Sequence, residues 1–214
     1  MTALARGAAT RAAALASLCA CLAACGGGGG SFRIDGTVSG ISLSPRDSAF
    51  VAAAGECGHT TAGTPIKGVL LTVLVADTAG QCAAAQGDAA IRSTTSLTMT
   101  LVRLGTADPP AFAPGSYTVS AAPQAQTDGS VISIGATLDR TDAACRSTVT
   151  SGNGDGIDAT GGTIIFSVLS AAAASGSFDL AFPNGGKLAG SFTTGPCSLP
   201  IAVFCSGGAS TSCR

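Results

Sequence analysis

The sequence predicts an all-β fold, an antiparallel β-sandwich or flattened barrel of about nine or ten strands held by disulfides. Three observations carry this. Short segments alternate apolar and small polar residues. Gly, Pro, Asn and Asp clusters punctuate them at short intervals. The acids are eleven Asp and one Glu (Glu56), and only two of the eleven basic residues are Lys, Lys67 and Lys187. That balance suits turns and strands more than helices.

The alternation is clearest in the second half. Leu97, Met99 and Leu101 share one side of a run whose other side carries Thr98 and Thr100. From Thr163 to Leu169, Ile164, Phe166 and Val168 fall on one face; Ile165 and Leu169 on the other suggest burial on both sides. Phe178, Leu180 and Phe182 form a third stripe, followed by Pro183-Asn184-Gly185-Gly186 and a strand with Leu188, Gly190 and Phe192 on one face. Asn-Gly between alternating runs predicts a hairpin over residues 176–194, because both residues tolerate positive φ. Weaker strands are expected at 32–43, 49–53, 69–76, 117–121 and 131–138. An Ala-rich stretch at 81–90 suggests a helical turn or two, broken by Gly87; the alanines at 171–174 read as a connection.

Residues 1–24 stand apart. Arg6 and Arg11 form a basic start, and Ala12–Ala24 is an apolar stretch of 13 residues, too short to span a bilayer as a helix. It closes on Leu22-Ala23-Ala24-Cys25. This run resembles the lipobox of bacterial lipoproteins. The resemblance implies removal of residues 1–24 and acylation of Cys25 as the first mature residue. Gly26–Gly30 then form a tether with no side chains to pack, reaching at most ~18 Å. The division is 1–24 signal peptide, 25–31 lipidated cysteine and tether, and 32–214 a single sandwich domain. By resemblance to the enterobacterial sorting pattern, Gly26 after the acylated cysteine implies the outer membrane, so the expected partner at this end is a lipid surface.

Composition excludes several functions. Without residues 1–24 the chain carries nine basic and twelve acidic residues, so it offers no basic face for nucleic acid. It has one His, one Tyr and no Trp. No mature Gly-x-Ser-x-Gly run marks a serine hydrolase, and no Gly loop leads into a Lys-bearing helix. Exposed Trp and Tyr platforms for sugar are lacking, although eleven Asp leave paired-carboxylate chemistry open. Asp35, Asp77, Asp139 and Asp179 read as solvated strand-end or turn residues.

Six cysteines remain in the mature chain besides Cys25: Cys57, Cys82, Cys145, Cys197, Cys205 and Cys213. An even number in an exported chain reads as three disulfides, each contributing ~2–4 kcal/mol. Six cysteines allow fifteen connectivities, among which sequence does not choose. The set expected is Cys57–Cys82, Cys145–Cys197 and Cys205–Cys213, the last closing a Ser/Gly loop. Cys57 and His59 also have the makings of a nucleophile pair or metal site, set aside because an exported cysteine is oxidised and no second His exists. Within residues 151–158, Asn153, Asp155 and Asp158 alternate with Gly and resemble the acidic turn of a calcium loop. Ser151 stands where Asp begins such loops, and no bidentate Glu closes it.

Beyond the lipobox, the chain resembles a loose group of uncharacterised Cys-containing lipoproteins of high-GC Gram-negative bacteria, myxobacteria among them. The shared features are an apolar strand from Leu70 to Asp77 before Cys82, a Pro114–Tyr117 strand opening, Thr141–Cys145, and the Gly-Ser-Phe runs at 176–178 and 190–192 leading to Cys197. The group implies fold and compartment and brings no activity with it. The expectation is a non-catalytic, lipid-anchored envelope protein with a structural, adhesive or partner-binding role toward an envelope protein or glycan. Its alternatives are a ligand-binding module using a calcium-stabilised 151–158 loop and an envelope hydrolase.

Overall fold

Strand alternation is realised in a computed structural model that describes residues 30–87, 89–151, 154–199, 205, 212 and 213. In chain order the strands are β1 (Phe32–Thr37), β2 (Asp47–His59) and β3 (Pro65–Ala76), followed by a short helix α1 (Gln81–Gln86). Next come β4 (Ala89–Ala90), β5 (Thr95–Gly105), β6 (Gly115–Thr118), β7 (Gln124–Ala125) and β8 (Val131–Arg140). Short β9 (Thr150–Ser151), β10 (Gly154–Asp155) and β11 (Ile157–Asp158) lead to β12 (Gly161–Leu169), β13 (Ala174–Ala181), β14 (Lys187–Thr194) and β15 (Ser212–Cys213).

Two antiparallel sheets form the sandwich. One has the order β1-β14-β13-β12-β6; the other runs β11-β8-β5-β3-β2, with β7 also on β8. The edges are stitched together. Beyond β14, the Gly195 carbonyl accepts from Phe50 N–H on β2, at 3.1 Å. Just before β12, Ala159 N–H donates to Ala136 O on β8, at 2.8 Å. A strand of the first sheet therefore reaches from the β2 side of the second to its β8 side. The two strand directions cross rather than align, the arrangement in which corner contacts hold the layers together.

The core lies between the sheets. Phe50, Leu71, Val73, Leu97, Met99, Leu101 and Leu138 meet Ile164, Phe166, Phe178, Leu180, Leu188 and Phe192. The 3-4 residue spacings of a helix are absent; these are the period-2 stripes of the sequence. Phe112, Tyr117, Phe166 and Phe192 form an edge-to-face row, with ring centroids 5.8, 6.0 and 5.6 Å apart. Such pairs add ~0.5–1.5 kcal/mol each beyond burial.

The 176–194 hairpin is present. Asn184 (φ 59°) and Gly185 (φ 77°) both occupy the left-handed region, and Gly186 N–H donates to Pro183 O at 3.3 Å. The predicted double burial of 163–169 is corrected. Ile164 and Phe166 are buried, but Val168 is 47% and Ile165 43% exposed. Pairing jumps from Phe166↔Gly176 to Val168↔Ser175, so Ser167 is an extra residue. This bulge shifts the alternation by one and sends Val168 to the outer face.

All six cysteines are paired, but not as expected. The bonds are Cys57–Cys205, Cys82–Cys197 and Cys145–Cys213, with Cα atoms 5.0, 5.6 and 5.7 Å apart. None of Cys57–Cys82, Cys145–Cys197 and Cys205–Cys213 forms. The reason is the path after β14. Cys197 N–H donates to Phe50 O, Pro196 bridges Phe50 in parallel, and β15 pairs in parallel with β4. The chain's end thus returns past the body, and each of its three cysteines meets one of the three earlier ones. Cys197 is buried with Ala49 and Val51 in a second small core outside the sandwich, against which Cys82 and Leu199 pack.

Candidate functional site

The described residues show relief around Val69 on β3. Three depressions of about 240, 170 and 400 Å³ each include Val69 in their walls, the first on the outer face of the sheet and the other two on its inner side. Leu70, Val102, Leu104 and the Cys57–Cys205 bond line the first. Phe112, Leu169 and Ala171 line the second. Glu56, Lys67, Asp108 and Pro109 border the third. The floor is apolar because β3 carries Val69, Leu70 and Leu71 in succession, so both its faces present hydrocarbon.

Charge sits on the rim. Lys67 Nζ lies 2.6 Å from Asp108 Oδ1, and Glu56 Oε1 lies 3.2 Å from His59 Nε2. All four side chains are more than a third exposed, so each pair is worth little in stability. Cys57 falls where β2 pairing jumps from Glu56↔Lys67 to Gly58↔Ile66. This bulge brings Glu56, Cys57 and His59 to one edge of the site. Cys57 is oxidised with Cys205, so the Cys57–His59 thiolate pair does not exist in this state. Among the described residues no group of three His, Cys, Asp or Glu side chains is placed to hold a metal ion.

Several other polar side chains hold structure. Asp77 Oδ1 accepts from Thr95 N–H at 2.9 Å, Thr94 Oγ1 at 3.0 Å and Thr78 Oγ1 at 3.1 Å. Burial by itself would raise this carboxyl. The bonds from Thr95, Thr94 and Thr78 outweigh burial and hold it below its ordinary value. Asp47 Oδ2 accepts from Gly80 and Gln81 N–H at 2.7 and 3.0 Å, tying the start of α1 to β2. Asp139 Oδ1 accepts from Ser147 Oγ at 2.6 Å. Asp77, just after β3, and Asp139, near the end of β8, are therefore half-buried hydrogen-bonded knots at strand ends and not the solvated residues expected; Asp35 and Asp179 are exposed as expected. The single tyrosine is also engaged: its hydroxyl donates to Ala113 O at 2.6 Å. Arg103, not singled out by its sequence context, lies 5.5 Å above the Phe112 ring and donates to Pro110 O at 3.2 Å. An Arg among apolar strand residues was the available signal.

The other candidates are placed as follows. Cys25 and Asn153 lie outside the described residues. The backbone of Asp155 pairs with Thr150 across β9 and β10. Asp158 is exposed on β11, where Oδ1 accepts from Thr137 Oγ1 at 2.7 Å. No helix among the described residues is long and apolar enough to cross a membrane. Comparison with protein-family models, curated proteins and solved structures finds no match.

Proposed function

We propose that this chain is a lipid-anchored protein of the bacterial cell envelope, held in the outer membrane through Cys25, with a non-catalytic, partner-binding role. The observation that carries the reading is the ordered series Arg6, Arg11, the apolar Ala12–Ala24 and Leu22-Ala23-Ala24-Cys25. Three disulfides in a small domain support an oxidising compartment. The apolar depressions around Val69, one of them bordered by Glu56, Lys67 and Asp108, support a contact surface for an envelope protein or glycan. The mature charge balance disfavours nucleic acid as the partner.

Two secondary readings have specific support. The alternation of Asn153, Asp155 and Asp158 with Gly in the sequence supports a calcium-stabilised ligand loop. The Glu56–His59 contact favours an envelope hydrolase.

Fractionation tests the main reading. The native chain should float with outer-membrane vesicles, and Cys25→Ala should move it to the soluble envelope fraction. A wild-type chain recovered soluble overturns the anchor. Hydrolysis of an envelope polymer or ester that His59→Ala or Glu56→Ala abolishes overturns the non-catalytic role.

A further inference from the structure

We infer that the edge strand β1 is a self-association surface that pairs antiparallel with β1 of a second copy, in a register centred on Ile34. Among the described residues β1 closes one edge of its sheet and pairs only with β14. Thr193 N–H donates to Ser31 O. Main-chain groups therefore alternate from there: odd residues face β14, and Phe32, Ile34 and Gly36 direct their N–H and C=O groups outward. An antiparallel pairing must match outward groups with outward groups, so Ile34 opposite Ile34 is an allowed register.

That same register settles the side chains. Arg33 of each copy falls opposite Asp35 of the other, twice by symmetry. In one copy these two side chains already pair, Arg33 Nε to Asp35 Oδ2 at 3.1 Å, with 81% and 70% of their side chains exposed. Charged residues on an edge strand ordinarily repel another copy; here their order makes them self-complementary. On the inner face, Phe32 and Ile34 pack against the core only in part, because among the described residues no strand beyond β1 covers them. In the dimer Ile34 meets Ile34, and Phe32 comes opposite Gly36, where no Cβ competes for the ring. The contact is isologous and closes on itself, so it yields a dimer and not a fibre. It does not depend on the lipid anchor.

The test uses the full chain purified from membranes in detergent, or in plain buffer if fractionation finds it soluble. Sedimentation velocity should show a monomer–dimer equilibrium. Arg33→Asp leaves an acid-only strand and Asp35→Arg a base-only strand, and each should raise the dimer Kd at least about tenfold. Mixed together, these two variants should form a heterodimer. The double swap Arg33→Asp/Asp35→Arg should return Kd to within about threefold of wild type. A monomer at every concentration, a dimer indifferent to the single reversals, or a mixture that fails to associate overturns the inference.

Discussion

Cys57 and Cys205 lie 148 residues apart in sequence and are bonded, with Cα atoms 5.0 Å apart. The other two bonds repeat the relationship: Cys197 and Cys213 are joined to Cys82 and Cys145. All three disulfides fasten the chain's end to its body. Peptide mapping of the unreduced protein should recover these three pairs and no Cys205–Cys213 peptide.

The bonds should differ in value. Cys82–Cys197 combines a long loop with burial of Cys197 at 3% exposure beside Ala49 and Val51. Cys82→Ala/Cys197→Ala should cost about 3–5 kcal/mol of stability, read by chemical denaturation. Cys145→Ala/Cys213→Ala, closing a shorter loop with Cys213 exposed, should cost less.

Core substitutions test the bulge in β12. Phe166→Ala should destabilise by about 3–5 kcal/mol, since Phe166 is fully buried between Tyr117 and Phe192. Val168→Ala should change stability by less than about 0.5 kcal/mol. A strand alternating without the extra Ser167 would make both costly.

These two residues also show what the sequence could and could not convey. Ile164, Phe166, Phe178, Leu180 and Leu188 were legible as core because period-2 alternation is a local property of the chain. Ser167 was not, since an extra residue is visible only against its partner strand. Disulfide pairing was illegible for the same reason: it depends on where the chain travels after Thr194. The full length of β2 is hidden in the sequence because Ala52–Gly55 have little side chain to reveal a pattern. At the candidate site, Cys57 and His59 stood out by type. Val69 and Leu70 looked like ordinary core, and Phe112 and Asp108 reach the same place only through the fold.

Acid should expose the Asp77 knot. Its folded carboxyl titrates below the ordinary 3.8, so its stabilising contribution is full above the unfolded value and lost as pH falls through the folded one. Asp77→Asn should lower stability at neutral pH and flatten its dependence below about pH 4. Melting temperature measured from pH 7 to pH 2 for both proteins checks this.

The hairpin turn should resist side chains. Gly185 has φ 77°, so Gly185→Val should cost about 1 kcal/mol or more, while Asn184→Gly should be close to neutral. Calcium at millimolar concentration should leave the melting temperature unchanged. A rise that Asp155→Ala or Asp158→Ala abolishes would instead establish the calcium-loop reading.

The most direct measurement is the intact mass of the native protein taken from its membrane fraction, before and after reduction. Expected are loss of residues 1–24, added acyl mass on Cys25, and a gain of six hydrogens on reduction of the three disulfides. A mature chain without acyl mass, or one carrying free thiols before reduction, would contradict it.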